Sequence, residues 1–453
     1  MDRAALAAEL REIAGPQNVT TEPRELERLS RDYYWFSPVL EAELADKIAD
    51  VAVTPATVAA LVEVVRLAGR HEIPLTARGA GTGNYGQAVP LRGGIVLHLH
   101  GLRQIHAITG GAAAVQAGAR LGAVERQARR AGCELHIYPS TYVAATVGGF
   151  VAGGNAGIGS ITWGTHWDGN VLAATVVTME DPPRRLELRG QDLLAVIHAF
   201  GTTGIITDVT LPLAPATPWE QCVMAFPNFE RAMAFSRELA EDGGIPKRLV
   251  SVHEWPIPSH FGHLAHEGAI TPGKAVLLLE IGEGRTAGAA ARAAGHGGAL
   301  TWSAPPAAYH KGTAVSDFSY NHTTLWAKRA DPGLTYLQVG FDRDGVMAQI
   351  AQIKRRFPEE IWIHVEYMRV GGVVVPRSLP IVRFTSRERM EEIVAFLEAI
   401  GAPVRHPHSP RLDTSRNKHI ASVLSAKRRW DPRGLLNPGK LEDTPVGTGG
   451  QPA

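Results

Sequence analysis

Glycine is concentrated in one part of this 453-residue chain. Of its 48 glycines, 20 lie between Gly79 and Gly169, which is a fifth of the length. The same stretch carries short apolar runs that are typical of strands, so it is not a flexible linker. Glycine between strands marks backbone that takes a positive φ or that must approach another group closely. This part of the chain is therefore expected to form a strand-rich domain whose backbone lies close to a ligand or to another backbone segment.

Composition excludes several classes of protein. Apolar residues make up 45% and charged residues 20% of the chain, which rules out a disordered or fibrous protein. The net charge of +1 gives no general attraction to nucleic acid. Two cysteines, Cys133 and Cys222, cannot build a disulfide framework or a cysteine-based zinc site. There is no run of 18 apolar residues, and residues 1–18 predict an amphipathic helix rather than a signal peptide. We expect a cytoplasmic protein without a transmembrane segment or a nucleic-acid partner.

The order of apolar runs and turn residues predicts two domains. Residues 50–79 read as strand, helix and strand, with Thr54 as N-cap and Pro55 as the first helical residue. Short strands and one helix near 121–131 follow, and the proline-rich residues 214–218 mark a boundary. Beyond it, strands alternating with helices predict an α+β domain with a mainly antiparallel sheet. We predict a ligand-binding domain at 1–214, a substrate (cap) domain at 215–410, and a C-terminal segment, 411–453, with a basic helix at 414–430.

Two glycine-rich segments are the strongest candidates for ligand binding. In the loop that begins at Arg78 and continues Gly-Ala-Gly-Thr-Gly-Asn84, successive backbone N–H groups suit a pyrophosphate. The loop is neither a P-loop nor a simple Rossmann motif, because no Gly-Lys-Ser/Thr and no opening helix follow. Residues 138–164 carry seven glycines from Gly148 onward and leave a face almost without side chains, against which a flat ligand fits. The alternatives are a plain hairpin for the loop and tight backbone packing for residues 138–164.

Together with residues 201–207 and 431–440, these segments resemble the vanillyl-alcohol oxidase/p-cresol methylhydroxylase family of FAD flavoproteins. The resemblance covers residues 45–214 and 428–442. It implies an α+β fold: a two-subdomain PCMH-type FAD-binding domain, and an α+β cap domain with an antiparallel sheet, with the C-terminal segment returning to the FAD domain. It also implies a set of residues that bind FAD: Arg78, Gly79, Ala80, Gly81, Thr82, Gly83, Asn84, Pro139, Ser140, Thr141, Thr146, Gly148, Gly149, Gly153, Gly159, Ser160, Gly204, Ile205, Ile206, Asn437 and Lys440.

The resemblance further implies non-covalent FAD. Covalent members of the family often carry a histidine where this chain has Thr82, and some add a cysteine in a stretch that corresponds to residues 140–145, which hold none. This places the chain nearest the glycolate/D-lactate dehydrogenase branch. That branch usually carries a His-x-Gly-Asp-x-Asn strand and a later Glu-His-Gly, and neither is present here. The departure leaves the 2-hydroxy-acid substrate and any cap metal open.

The candidate catalytic residues lie in the cap. Residues 362–369 predict a strand with His364 and Glu366 on one face and Tyr367 and Arg369 on the other. A histidine beside a carboxylate is a common acceptor for a hydroxyl proton, so we predict His364 as the base, with His322 as the second candidate. The alternatives are that residues 362–369 form an exposed edge strand and that the segment around His322 is a polar turn.

Two clusters of charged or metal-ligating residues in the cap and C-terminal region are weaker signals. His260, His263 and His266 fan around a helix, so we expect no metal there. The basic residues from 400 to 440 are either a solvated face or a site that neutralises a substrate carboxylate or reduced flavin.

The sequence therefore predicts an FAD-linked oxidase or dehydrogenase. It would oxidise an alcohol or 2-hydroxy acid by hydride transfer to flavin N5, while a cap base takes the proton. A phenol or aromatic-alcohol oxidase of the same fold, and a flavin-binding protein without turnover, are the alternatives. The expected partners are a small-molecule substrate and an electron acceptor, which is oxygen, a quinone or another redox protein; a homodimer is one option.

Overall fold

The computed structural model describes residues 2–308 and 313–441, and it begins with a small sheet covered by helices. The sheet has strand order β1-β2-β4-β3, parallel except for β1 at its edge. The predicted strand–helix–strand over residues 50–79 is confirmed. The helix begins three residues later than expected, at Val58, with Thr57 as the N-cap, and Thr54 N donates to Asn18 O beside β1. The elements of this first subdomain are α1 Arg3–Ala14, β1 Val19–Thr20, α2 Pro23–Leu29, α3 Pro38–Leu44, β2 Val51–Val53, α4 Val58–Arg70, β3 Leu75–Arg78 and β4 Ile95–His98.

A second subdomain follows, built on an antiparallel sheet of order β5-β6-β10-β8-β9, with β7 also paired to β10. Two short helices, α6 and α7, come from the second glycine-rich segment. The elements are β5 Ile105–Thr109, β6 Ala112–Gln116, α5 Leu121–Arg130, β7 Cys133–Leu135, α6 Val147–Gly153, α7 Ser160–Trp163, β8 Ala173–Val177, β9 Arg185–Arg189 and β10 Ile205–Pro215.

The part of the chain after β10 that is predicted to be the cap carries two further sheets. An eight-stranded antiparallel sheet, β14-β11-β13-β12-β18-β19-β16-β21, and a three-stranded one, β15-β20-β17, confirm the predicted α+β architecture. The cap elements are β11 Trp219–Phe226, α8 Phe229–Glu241, β12 Lys247–His253, α9 Gly262–His266, β13 Ala275–Gly282, α10 Thr286–Gly295, β14 Ala299–Ala304, α11 Asn321–Ala330, β15 Leu334–Tyr336, β16 Gln338–Gly340, α12 Val346–Arg356, β17 Ile361–Trp362, β18 His364–Val370, β19 Val373–Ser378, β20 Ile381–Arg383, α13 Arg387–Ala399 and β21 Val404–Arg405.

Residues 362–369 do not form the single strand that was predicted. Trp362 ends β17 in the three-stranded sheet, whereas His364 begins β18 in the eight-stranded sheet. The chain changes sheets at Ile363, whose carbonyl accepts from Glu254 N. Strand β18 is also central rather than at an edge, because it pairs with both β12 and β19.

The C-terminal segment returns to the first subdomain. Helix α14, Ile420–Trp430, begins six residues later than the predicted basic helix. The chain then runs beside β3, where Leu75 N donates to Leu435 O and Asn437 N donates to Leu75 O. Residues 442–453 lie outside the described part of the chain.

Two large apolar cores lie on the two faces of the cap sheet, and the first of them joins the cap to the second subdomain. Residues on one face of the cap sheet, such as Val223, Leu249 and Val276, share a core with β6, α5 and β10. The opposite face packs beneath α8, α10, α12 and α13. Because the first core spans the junction, the two parts form one packed unit, with a cleft at one end of the junction. In the described residues, no helix is long and apolar enough to cross a membrane.

Candidate active site

A cleft lies where the two subdomains meet the cap. Its empty volume is about 1460 Å³, including the part open to solvent. Its walls come from the loop after β3, from the start of α6 and from α11, β16 and β21. Sixteen of the 21 residues predicted to bind FAD line it: Arg78, Gly79, Ala80, Gly81, Thr82, Gly83, Asn84, Pro139, Ser140, Thr141, Thr146, Gly148, Gly149, Gly153, Gly204 and Ile206.

The loop after β3 presents free backbone N–H groups. Among the described residues, no hydrogen bond is donated by the N–H groups of residues 79–84. Gly81 has a φ of +69°, and a Cβ on it would overlap the Arg78 guanidinium, which folds back over the loop. Arg78 donates to Arg31 O, and burial lowers its pKa to about 10, so it stays positive at neutral pH. Unpaired N–H groups beside a cation form a cradle for a phosphate group.

The glycines of the second segment serve two different purposes. A Cβ on Gly149 would meet Thr146 Oγ1 at 2.9 Å and nothing else within 4 Å, and one on Gly153 would meet the Gln87 amide at 3.6 Å. These two leave space on the cleft side. In contrast, a Cβ on Gly157 or Gly159 would overlap the carbonyl oxygen of Tyr138 or His136. Gly149 and Gly153 therefore leave room for a ligand, whereas Gly157 and Gly159 are required by tight backbone packing.

Five of the predicted FAD residues stand behind the cleft wall instead of lining it. Gly159 N donates to Arg248 O at 2.9 Å, and Ser160 Oγ accepts from Gly157 N. Ile205 is in the core of the first subdomain. The Asn437 amide donates to Gln87 O and Phe200 O, at 2.8 and 2.6 Å, and the buried Lys440 Nζ donates to Gly86 O. The Asn437 and Lys440 contacts hold the end of the glycine loop in place.

The N-terminal region supplies cleft residues that the sequence reasoning missed. Asp32, Tyr33 and Phe36 line the cleft, and Tyr33 N donates to Gly83 O of the glycine loop. Burial raises the pKa of Asp32, and burial also lowers the pKa of the Lys440 ammonium, which faces it. The run Tyr-Tyr-Trp-Phe at 33–36, inside an otherwise polar stretch, was the available signal.

His198 and Phe200 form another missed part of the wall. Both line the cleft, and both have positive φ values, +53° and +55°. Non-glycine residues rarely adopt this conformation, and such strain is concentrated at functional sites. Burial lowers the pKa of His198 to about 3, so its imidazole is neutral. No local sequence signal marks this conformation, because tertiary contacts impose it.

On the cap side the cleft is lined by Asn321, His322 and Leu325 of α11, with Gln338 and Arg405 from the sheet. His322 Nδ1 lies 4.0 Å from Asp317 Oδ1. Burial lowers the pKa of His322 to about 4, so the ring is neutral and able to accept a proton at neutral pH. The Asn321 side-chain oxygen has no hydrogen-bond partner among the described residues. His322, the second candidate base, is therefore in the cleft.

His364 and Glu366 lie in a buried network beside the cleft. Both side chains are fully buried, and neither lines the cleft. Glu366 Oε1 accepts from His364 Nδ1 at 3.1 Å, from Ser251 Oγ at 3.1 Å and from Tyr320 N at 2.8 Å. The His253 ring stacks on His364.

Tyr320 connects this network to the cleft. It precedes α11, has a φ of +50°, and donates its hydroxyl proton to Gly157 O at 2.8 Å. The carboxylate of Glu366 thus holds a strained residue directly before Asn321 and His322. Through Tyr320, Glu366 fixes the first turn of α11 against the glycine-rich segment.

The other two predicted catalytic residues point away from the cleft. Tyr367 is buried under α8, where its hydroxyl lies 3.2 Å from Ser236 Oγ. Arg369 is on the same strand and donates to Gly372 O in the turn that follows. No group of three metal-ligating side chains converges anywhere in residues 2–308 and 313–441.

Comparison with known proteins identifies the ligand of the glycine-rich region. Residues 49–181 match the family model of the FAD binding domain, FAD_binding_4. The predicted PCMH-type FAD-binding domain is therefore confirmed, and FAD is the cofactor.

Two curated relatives are named enzymes. The chain is 28% identical over 240 residues to the glycolate oxidase subunit GlcD of Escherichia coli (strain K12), covering 51% of this chain and 48% of that protein. It is 31% identical over 188 residues to the D-lactate dehydrogenase of Anaerostipes hadrus, covering 37% and 39% respectively. The chain thus spans about half, or less, of the length of these relatives.

A solved structure extends the similarity to the whole fold. An alkyldihydroxyacetonephosphate synthase superposes with a TM-score of 0.75 at 16% sequence identity, over 97% of this chain and 86% of that one. At this identity the similarity concerns the fold. It includes the cap, which the family model does not cover.

Proposed function

We propose that this protein is an FAD-linked oxidoreductase that oxidises a 2-hydroxy acid, with His322 as the base that takes the hydroxyl proton. The observation that carries the proposal is the position of His322. It is a neutral histidine from the cap that lines the same cleft as the FAD-binding loop. The names of the relatives, a glycolate oxidase subunit and a D-lactate dehydrogenase, point to the same class of reaction.

The residues of the cleft fit the cofactor. The N–H groups of residues 79–84 and the Arg78 guanidinium suit the pyrophosphate, and the open glycines 149 and 153 leave room for a flat ring. When bound, FAD accepts the hydride from the carbon that carries the hydroxyl group. Thr82 stands where covalent members of the family often carry a histidine, which supports non-covalent binding.

The role of His322 follows from its surroundings. An imidazole that is neutral at neutral pH has a lone pair for a hydroxyl proton, and general-base catalysis contributes about 10²–10⁴-fold in rate. Its neighbour Asn321 offers an unpaired carbonyl oxygen and an amide to orient the hydroxyl. His364, which the sequence favoured, is enclosed in the Glu366 network and does not border the cleft.

The polarity of the cap wall supports a hydroxy acid over a phenol. Four of the five cap residues that line the cleft are polar or charged, and Leu325 is the fifth. A pocket for an aromatic alcohol would be lined mainly by apolar and aromatic side chains. Arg405, in contrast, offers a guanidinium to a carboxylate.

The test compares the two histidines in the FAD-loaded protein. In anaerobic rapid-mixing experiments with a hydroxy acid that reduces the flavin, His322→Ala should slow reduction at least 100-fold and retain FAD. His364→Ala serves as the matched control, and any loss there should appear mainly as reduced stability. If His322→Ala reduces the flavin at the wild-type rate, His322 is not the base and the proposal fails.

A further inference from the structure

About half of the cap arginines are paired with carboxylates. Eight of the fifteen between residues 215 and 410 make salt bridges, and most of these pairs lie at the protein surface: Arg237, Arg248, Arg292, Arg343, Arg356, Arg383, Arg387 and Arg389. Among the remaining cap arginines, Arg405 lines the cleft, and Arg377 lies two strands away from it in the same sheet.

Arg377 and Arg405 lie on the strands that flank β16. Arg377 on β19 is opposite Gly340, and Arg405 on β21 is opposite Gln338, so both side chains share one face of the sheet. Gly340 has no side chain, and the Arg377 guanidinium passes 3.6 Å from the position that its Cβ would occupy. The missing side chain lets Arg377 reach across β16 towards Arg405.

Neither guanidinium has a carboxylate partner among the residues that the structure describes. Arg377 donates to Pro376 O. Its pKa is lowered by burial and, secondly, by the positive charge of Arg405, which lies on the other side of β16. Arg405 lines the cleft together with Gln338 and His198. The acidic residue of the cleft lining, Asp32, faces Lys440 and Arg78 instead.

We propose that Arg405 and Arg377 form a subsite for two negative charges, so that the preferred substrate is a hydroxy acid carrying a second acidic group. This inference rests on the proposed function. Two partly buried cations with no carboxylate partner repel each other, and a ligand with one carboxylate neutralises only one of them. A second carboxylate or a phosphate ester completes the charge balance, and the planar guanidinium groups bind either one through paired hydrogen bonds.

The experiment uses pairs of substrates that differ in the second acidic group. Flavin reduction is compared for malate against 2-hydroxybutyrate, and for 3-phosphoglycerate against glycerate. For at least one pair, the second-order rate constant of the doubly acidic member should be at least tenfold higher in the wild type. The pair that shows the preference distinguishes a carboxylate from a phosphate. Arg405→Met and Arg377→Met should each remove most of it, and Arg405→Lys should keep part.

Arg343→Met is the control, because it removes an exposed cap arginine that is paired with Glu241. It should leave the preference unchanged. The subsite is wrong if the wild type reduces equally fast with both members of each pair, or if Arg405→Met keeps the preference while retaining FAD and a normal melting temperature.

Binding of redox-inert anions separates this inference from the proposed function. Succinate should perturb the flavin spectrum at a concentration at least tenfold lower than butyrate, and Arg405→Met should abolish this difference. If no hydroxy acid reduces the flavin but succinate still binds in this way, the proposed function fails and the anion subsite stands. If single-acid substrates reduce the flavin and succinate shows no advantage, the subsite fails and the function stands.

Discussion

Replacing Glu366 should disturb the cleft without removing a cleft residue. Its Oε1 accepts from Tyr320 N, Ser251 Oγ and His364 Nδ1, all buried. Glu366→Leu leaves these donors without their acceptor, and each buried unsatisfied donor costs about 1–3 kcal/mol. The variant no longer buries a carboxylate, and the desolvation cost that it avoids offsets part of this loss. If two of these donors remain unsatisfied, we expect a net loss of about 2–4 kcal/mol in the free energy of unfolding.

The functional effect follows from Tyr320. Its positive φ costs about 1–3 kcal/mol, so without the Glu366 acceptor the residue relaxes and the first turn of α11 shifts. His322 and Asn321 move with that turn. Flavin reduction by the substrate should fall at least tenfold in Glu366→Leu, while FAD remains bound. Glu366→Gln keeps an acceptor oxygen, so it should retain stability within about 1 kcal/mol and a reduction rate within threefold.

The assays are urea unfolding of the FAD-loaded protein and anaerobic flavin reduction. Tyr320→Phe, which loses the bond to Gly157 O but keeps the backbone N–H, is the intermediate case and should lose about 1 kcal/mol. The positioning argument is refuted if Glu366→Gln is as stable as the wild type yet reduces as slowly as Glu366→Leu. In that case the carboxylate itself takes part in the reaction, as the sequence suggested.

Three further predictions concern FAD and pH. Acid precipitation should release all the FAD into the supernatant, and flavin in the pellet would show a covalent link. Gly149→Val should abolish FAD binding, measured by the flavin content of the purified protein, because its side chain would enter the cleft. Gly288→Val, in a helix with open space around it, should bind FAD normally, and equal flavin content in both variants would make Gly149 merely structural. The free energy of unfolding should fall as the pH is lowered from 6.5 to 5, because burial lowers the pKa of His166 to about 4. Over this range the unfolded chain binds a proton at this histidine and the folded protein does not. The expected loss is about 1.5 kcal/mol for such a histidine. A flat urea midpoint over this range would contradict the assignment.

The glycine pattern predicted where the cleft lies, for a physical reason. A ligand that lies against backbone excludes side chains, and this requirement is written locally in the sequence, as at Gly81 and Gly149. The family resemblance also named Gly159 and Asn437, which stand behind the cleft wall. Backbone that packs against backbone also demands glycine, and an amide that holds a loop resembles one that binds a ligand.

The cap side of the site was harder to predict. Alternation placed His364 and Glu366 correctly on one face of a strand, but not whether that face looked into a cleft or into a core. That choice depends on which elements pack above the sheet, and here Tyr320 N donates to Glu366 and the His253 ring stacks on His364. Arg405 and Gln338 come from short strands at one end of the sheet, and Tyr33 comes from the opposite end of the chain. Their convergence is a property of the tertiary fold.

The central claim is that a hydroxy acid delivers its hydride to FAD in this cleft. It is tested most directly by mixing the FAD-loaded protein anaerobically with 2-hydroxy acids, including glycolate, lactate and malate, and recording the flavin spectrum. The account predicts that at least one of them bleaches the oxidised-flavin absorbance and yields the matching 2-oxo acid in equal amount. A protein that binds FAD fully and is bleached by phenolic or aromatic alcohols, or by no donor, would contradict it.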